Sequence, residues 1–476
     1  MGGRDDGDVY TERLMRHGAP KADFPERGTE ARVAYQLVHD ELMLDGVSRM
    51  NLATFCTTWT EPEVHRLMDE SIGKNMIDKD EYPQTAELER RCVRMLADLW
   101  HAPDPGGTMG TSTTGSSEAA MLGGLAAKFA WRRRREAEGG ATDRPNLVCG
   151  PVQVCWEKFA RYFDVELRRV PLRGGAYVMT PDDIDRYCDE NTIMVVCNFG
   201  QTFTGLFEDV SGVAAALDRF EERTGHDIRL HVDAADGGFL APFVSPDLVW
   251  DFRLPRVRSI NASGHKSGLA PLGSGWAIWR EERDLPEDLI FWVDYLGGDE
   301  ATFNLNFSRP GGPVVAQYYD FVRLGREGYR RIHSAKYGTA RHLADRIAAM
   351  GPFEIIHGGH PERGVCAVAW RMVGDEPFTL YDLADRLRTR GWLVPAYPLP
   401  ADRQDEVIQR VLVRHGFSHD MSDLFLEDLR RSIEHLRRHP PSPPLDRGEG
   451  GGFNHGARSD PPATVPTPRA AGGEPR

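Results

Sequence analysis

Ser259-Ile-Asn-Ala-Ser-Gly-His-Lys-Ser-Gly268 places a lysine just past a short apolar run, inside a turn of small residues. A lysine fixed in direction and partly shielded from water suits Schiff-base chemistry with an aldehyde cofactor, so Lys266 is read as the catalytic centre. A Gly-His-Lys triplet alone is more often a solvated loop, and it is the upstream sequence that gives it weight. Ile228-Arg-Leu-His-Val-Asp-Ala-Ala-Asp-Gly-Gly-Phe239 is an apolar strand ending in Asp233 and small residues. That carboxylate suits the ring nitrogen of pyridoxal phosphate, whose protonated ring accepts electrons when a bond at an amino acid's α-carbon breaks. On its own, Asp233 fits a helix cap equally well. Gly110-Thr-Ser-Thr-Thr-Gly-Ser-Ser-Glu118 runs into a helical apolar spacing from Ala119 to Phe129. Hydroxyls and free N–H groups therefore meet a helix start, an arrangement that binds phosphate.

Outward from these blocks, short apolar runs alternate with helical patterns between about 50 and 335. Leu147–Cys149, Ile193–Cys197, Leu230–Val232, Val257–Ile260 and Gly275–Trp279 read as strands of a largely parallel sheet covered by helices. Ligands gather beyond the carboxyl ends of such strands, and Thr202, Asp233 and Lys266 each follow one. From about 340 a smaller α+β domain is expected, with strands Val365–Trp370 and Val407–Val413 and a helix Leu380–Arg390. The predicted organisation is an N-terminal arm and segment over 1–50, a large domain over 51–340, a small domain over 341–440 and a disordered tail over 441–476. With 476 residues the chain exceeds what one core holds.

A net charge of −14 without a basic stripe argues against a nucleic-acid partner. Arg132–Arg135 reads as the solvated end of a helix. Seven scattered cysteines without metal-type spacing predict free thiols in a reducing compartment and no metal site. The N-terminus lacks an apolar signal core and no apolar stretch is long enough for a bilayer, so a cytoplasmic, non-membrane protein is expected.

Together these blocks resemble the pyridoxal-phosphate-dependent (group II) glutamate decarboxylases shared by bacteria and plants, from about Asn51 to a helix ending near His439. The resemblance is carried further by Asn51-Leu-Ala-Thr-Phe-Cys56, Asp80-Glu-Tyr-Pro-Gln84, Leu96-Ala-Asp-Leu-Trp-His-Ala102 and Asn146-Leu-Val-Cys-Gly-Pro-Val-Gln153. It continues through Phe243, Trp250-Asp-Phe-Arg-Leu-Pro-Arg-Val257, Asp294-Tyr-Leu-Gly-Gly298 and Asn306-Phe-Ser-Arg-Pro310. It implies an α/β fold of type I with a mostly parallel seven-stranded sheet, the cofactor pyridoxal 5'-phosphate, and conversion of L-glutamate to 4-aminobutyrate and carbon dioxide. By the same resemblance Lys266 carries the cofactor and Asp233 pairs with its ring nitrogen. Ser116, Ser117, Ser263 and His265 surround the phosphate, Gln153 and Ala235 lie on opposite faces of the ring, and Thr202 orients it. His231 joins the polar network around the ring, although a satisfied structural histidine is an equal reading.

Phe307 and Ser308 are implied to reach the phosphate of a neighbouring subunit, making the enzyme a homodimer or a dimer-based hexamer. Tyr295 and Leu296 belong to a mobile cover from the partner, where excluded water aids protonation of the product carbon. The α-carboxylate falls to Arg410, and the distal carboxylate to Thr54 and Phe55 with Asn75 and Asp78 of the partner. Arg410 lies in an apolar run, where an unpaired charge is costly, so either a ligand or a structural salt bridge is expected.

Three departures from the family pattern stand close to these residues. Asp236 occupies a usually small neutral position, Ser267 replaces an aromatic, and Cys197-Asn198 replaces Pro-Thr. They keep open a decarboxylase of another acidic amino acid, beside a non-catalytic homologue that retains the fold. Phe453-Asn-His455 resembles a C-terminal Phe-X-His of the bacterial enzymes and suggests a pH gate through His455.

Overall fold

The computed structural model describes residues 20–173, 175–294, 299–400 and 402–446. The chain forms two compact units, Met1–Asn51 and Leu52–Arg476. The described part of the first holds a helix, Ala31–Leu42, and a short 3-10 turn, Ser48–Met50. The functional residues considered below all belong to the second.

Seven strands form the principal sheet: β1 Gly110–Thr113, β2 Asn146–Cys149, β3 Glu166–Arg169, β4 Thr192–Asn198, β5 Arg229–Asp233, β6 Val257–Ala262 and β7 Gly275–Trp279. Their order is β1-β7-β6-β5-β4-β2-β3. From β6 through β3 every pairing is parallel, and β7 alone runs against its neighbours. β2, β4 and β7 are buried along their whole length, which is why they are written as continuous apolar runs rather than alternating ones. The two ends of the sheet escaped the sequence reading for opposite reasons. β3 is an exposed edge written Glu-Leu-Arg-Arg, and charge protects such an edge from further pairing. β1 is polar yet buried, two of its hydroxyls absorbed by a buried ion pair: Glu89 accepts from Ser112 Oγ at 2.5 Å and Thr111 Oγ1 at 3.3 Å and meets Arg309 at 3.2 Å.

A hairpin of β8 Phe291–Asp294 and β9 Asp299–Thr302 follows. A second, wholly antiparallel sheet then joins β10 Phe353–Gly358, β11 Ala367–Met372, β12 Ala396–Pro398 and β13 Val407–Leu412 in the order β10-β11-β13-β12. β11 begins two residues later than the expected Val365, and the helix expected over Leu380–Arg390 ends at Arg388. Between the sheets runs Gly312–Met350, broken at Gly325, whose φ of +57° and ψ of −174° interrupt the helix. Among the described residues no helix is long and apolar enough to cross a membrane, and all seven cysteines are unpaired.

Asp320, on that long helix, is buried with Oδ2 unpartnered among the described residues, and burial raises its carboxyl from 3.8 to about 8. Between those values the folded chain holds a proton that the unfolded chain has released, so this group's contribution to stability is lost as pH rises through about 8. Asp320→Asn is expected to flatten the fall in melting temperature from pH 5 to pH 8, as read by thermal denaturation at constant ionic strength. An equal fall in both proteins contradicts this.

Candidate active site

The carboxyl ends of β4 and β5, the turn after β6 and the start of the helix Ser116–Ala137 surround a cavity of about 310 Å³. Ser116, Ser117, Gln153, Thr202, Asp233, Ala235, His265 and Lys266 all line it. Residues scattered over 150 positions of sequence therefore meet where a parallel sheet gathers its ligands.

The turn carrying Lys266 is tightly specified. A Cβ at Gly264 would fall 2.1 Å from Ser274 Oγ and 2.2 Å from Gln317 Oε1, so only glycine fits. Leu269 takes a φ of +70°, which costs a non-glycine residue about 1–2 kcal/mol. The turn is held from behind by Gln317 Nε2 and Tyr329 Oη, which donate to Gly268 O at 2.9 and 2.8 Å.

Asp233 ends β5 as an acceptor of three hydrogen bonds. Its Oδ2 accepts from Trp156 Nε1 at 2.8 Å, and its Oδ1 from Asn261 Nδ2 at 2.9 Å and Ala235 N at 3.2 Å. The bonds decide the state of His231. Because Asn261 gives its amide to a carboxylate that only accepts, its Oδ1 faces His231 Nε2 at 2.7 Å and that nitrogen donates. Burial lowers the His231 pKa, so the ring is neutral and Nδ1 accepts from Ser259 Oγ at 2.7 Å. His231 is thus both a satisfied buried histidine and, through Asn261, a member of the Asp233 network. The helix Ser116–Ala137 lies close above it: a Cβ at Gly123 would sit 2.6 Å from the His231 ring.

That helix begins at Ser116, three residues before the apolar spacing, and its N-cap Gly115 supplies no side chain to its first N–H groups. Ser263, three residues before Lys266, does not itself line the cavity; its Oγ is buried without a partner among the described residues. His265 is lowered to about 4, first by burial and then by Lys266, and is neutral at ordinary pH. Gln153 has a second employment, accepting from Cys155 N at 2.6 Å as cap of the helix Val154–Tyr162.

Arg410, on β13, is fully buried. Its Nη2 donates to Ala53 O at 2.8 Å, while Nε and Nη1 have no partner among the described residues, so the anticipated salt bridge is not formed there. Phe55 connects it to the lysine: Arg410 Cζ stands 4.6 Å and Lys266 Nζ 4.7 Å from the same ring centroid. Thr54, beside Phe55, accepts from Cys56 N at 3.4 Å.

Four anticipated residues gather elsewhere. Asn75 Nδ2 donates to Ser308 Oγ at 3.3 Å and its Oδ1 accepts from Arg309 N at 3.1 Å, while Phe307 is half exposed and Asp78 Oδ1 lacks a partner among the described residues. None of the four lines the cavity with Lys266. Tyr295, Leu296 and His455 lie outside the described residues. Of the departures, Asn198 lines the cavity and its N–H donates to Glu208 Oε2 at 2.6 Å; Asp236 and Ser267 are buried. Away from the cavity, His342, His419 and Asp423 bring metal-ligand atoms within 4.8 Å of one another, with Asp423 already accepting from His342 at 2.9 Å.

Trp156 and Asn261 were missed in sequence. Trp156 stands three residues past the quoted Gln153. Asn261 lies two residues from Ser259 on β6, and strand alternation puts both on the face that meets His231.

The pyridoxal-dependent decarboxylase conserved domain matches residues 26–373. A glutamate decarboxylase of Aliivibrio fischeri is 59% identical over 457 residues, covering 95% of this chain and 98% of that one. One from Solanum lycopersicum is 47% identical, covering 92% and 87%. The solved glutamate decarboxylase of Lactobacillus brevis superposes with a TM-score of 0.87 at 45% identity, covering 90% of this chain and 98% of that chain. The chain belongs to the pyridoxal-dependent decarboxylases, fold type I, within the group II family that holds the glutamate decarboxylases. Its cofactor is pyridoxal phosphate, and the cavity suits it: it presents an amine, a carboxylate fixed by three donors and an uncapped helix start.

Proposed function

We propose that this chain decarboxylates L-glutamate to 4-aminobutyrate and carbon dioxide. The observation that carries the reading is the pair of basic side chains sharing Phe55, Lys266 at the cofactor cavity and Arg410 with guanidinium donors that have no partner among the described residues. Pyridoxal phosphate, when bound, supplies an aldehyde for amines and a ring that accepts the electron pair left by the departing carboxylate. Around it Lys266 offers the amine and Asp233 holds a proton at the ring nitrogen. Ser116, Ser117, Ser263 and His265 hold the phosphate, Gln153 and Ala235 bracket the ring, and Thr202 orients it. Arg410 takes the α-carboxylate through paired donors, which fixes the scissile bond relative to the ring. Thr54 and Phe55 face the distal carboxylate. The substrate test is turnover of L-glutamate beside L-aspartate and other acidic amino acids: 4-aminobutyrate should dominate, and a preference for another substrate sinks the reading.

Asn261→Ala removes a donor from the Asp233 carboxylate and strands His231 Nε2. A hydrogen bond to a charged group contributes about 1.5–3 kcal/mol, so cofactor affinity should fall roughly ten- to a hundredfold. Titration of the apoprotein with pyridoxal phosphate reads this, and unchanged affinity contradicts it.

A homodimer or dimer-based hexamer completes the site, with Asn75, Asp78, Phe307, Ser308 and the cover residue Tyr295 acting on the neighbour's cofactor or substrate. The clustering of Asn75 with Ser308, apart from the cavity, supports this. Mixing inactive Lys266→Ala and Ser308→Ala chains, after dissociation and reassembly, should restore about a quarter of the activity, because half of the random dimers carry one intact site. No recovery argues for sites built within one chain. The two sheets fall on either side of residue 340, which supports a large domain over 51–340 and a small one over 341–440. Seven unpaired cysteines support a cytoplasmic setting.

A further inference from the structure

Asp236 and Ser267, two departures 31 residues apart, meet in the fold, and Ser267 also bonds to a third residue, Lys336, that the sequence did not single out. Ser267 N donates to Asp236 Oδ1 at 3.2 Å, and Ser267 Oγ accepts from Lys336 Nζ at 3.0 Å. All three are buried, at 6%, 3% and 7% exposure. A serine after Lys266, in place of a bulky ring, supplies the hydroxyl that lets Lys336 bond beside the catalytic turn.

A buried ammonium needs a counter-charge, since the effective penalty for an unpaired ion is several kcal/mol. The other ionisable groups packed around Lys336 do not provide one. His333 is held well below its usual pKa by burial and His415 is lowered to about 4, so both are neutral at pH 7. Burial raises Cys366 to about 12 and the Tyr337 phenol well upward, so these keep their protons. Glu61, which acts on His415, is taken by Arg323 at 3.1 Å and Tyr319 at 2.7 Å. Asp236 is the remaining anion of this compartment among the described residues, and its charge also reaches Arg410.

We propose that Asp236 and Lys336, joined through Ser267, form a charge-balanced positioning unit behind Lys266 that keeps Arg410 available for the substrate carboxylate. Alone, Asp236 would compete with that carboxylate for the guanidinium, and Lys336 offsets this pull. Alone, Lys336 would be an unpaired buried cation. Each charge therefore makes the other tolerable, and removing both should cost less than removing Lys336.

This inference rests on Arg410 as the carboxylate site. The experiment compares Lys336→Ser, Asp236→Ser, the double variant and Arg410→Met, all loaded with pyridoxal phosphate. Calorimetric binding of glutarate, a dicarboxylate without an amine, is read beside KM and kcat for L-glutamate. Lys336→Ser should weaken glutarate binding and raise KM by about tenfold with little change in kcat, and the double variant should return both to within about threefold of the parent, as expected for strongly coupled neighbours. Failure of Lys336→Ser to fold while the double variant folds also supports the pairing. Independent, additive effects overturn it, as does a double variant that neither folds nor binds glutarate. Unchanged glutarate affinity in Arg410→Met instead sinks the assignment of Arg410.

Discussion

Lys266→Ala is expected to abolish decarboxylation, lowering kcat by ~10⁴-fold or more, as loss of a covalent participant does in other enzymes. The expectation rests on position as much as on residue type. Lys266 lines the cavity with Asp233 and the Ser116–Ser117 helix start, in a turn fixed by Gly264 and the strained Leu269. No neighbouring lysine substitutes: Lys336 is engaged by Ser267. The variant should keep the fold, read by circular dichroism, and lose the visible absorbance of lysine-bound cofactor. Retention of more than a few per cent activity contradicts the assignment.

Arg410→Met is expected to have the next largest effect. The methionine fills part of the buried volume but leaves a substrate carboxylate without its charged partner. Removing one member of a buried, hydrogen-bonded charge pair costs about 2–5 kcal/mol, or roughly thirtyfold to several thousandfold in kcat/KM. Because the carboxylate that Arg410 holds is the one that departs, kcat should fall along with substrate affinity; a change in KM alone points to uniform binding instead. The protein itself should tolerate the change, since among the described residues the parent Arg410 has unpartnered Nε and Nη1 atoms, while its Nη2 donates to Ala53 O. A rise in melting temperature accompanied by loss of activity would fit a group kept for function.

How much of this was legible in the sequence follows from burial. Strands inside the principal sheet, such as Ile193–Cys197 in its parallel part and the antiparallel Gly275–Trp279, are apolar throughout and were read directly. β1 and β3 were not, because one satisfies buried hydroxyls through Glu89 and Arg309 while the other is a charged edge. Residues on strand ends and helix starts, Asp233, Lys266 and Ser116, were legible since local sequence fixes both their type and their place. Their supports were not: Trp156, Asn261 and Lys336 are recognisable only once the sheet brings distant segments together. Asp236 and Ser267 stood out in the sequence as two unrelated departures, yet they bond to each other, and Lys336, which bonds to Ser267, lies on a helix about seventy residues further along.

The central claim is decarboxylation at the α-carbon of glutamate, and carboxyl-labelled L-glutamate in deuterium oxide tests it most directly. The holoenzyme should release labelled carbon dioxide and 4-aminobutyrate in equal amounts, with one deuterium on the carbon that lost its carboxylate. Absence of both products from acidic to neutral pH, or 4-aminobutyrate without deuterium at that carbon, would contradict the account.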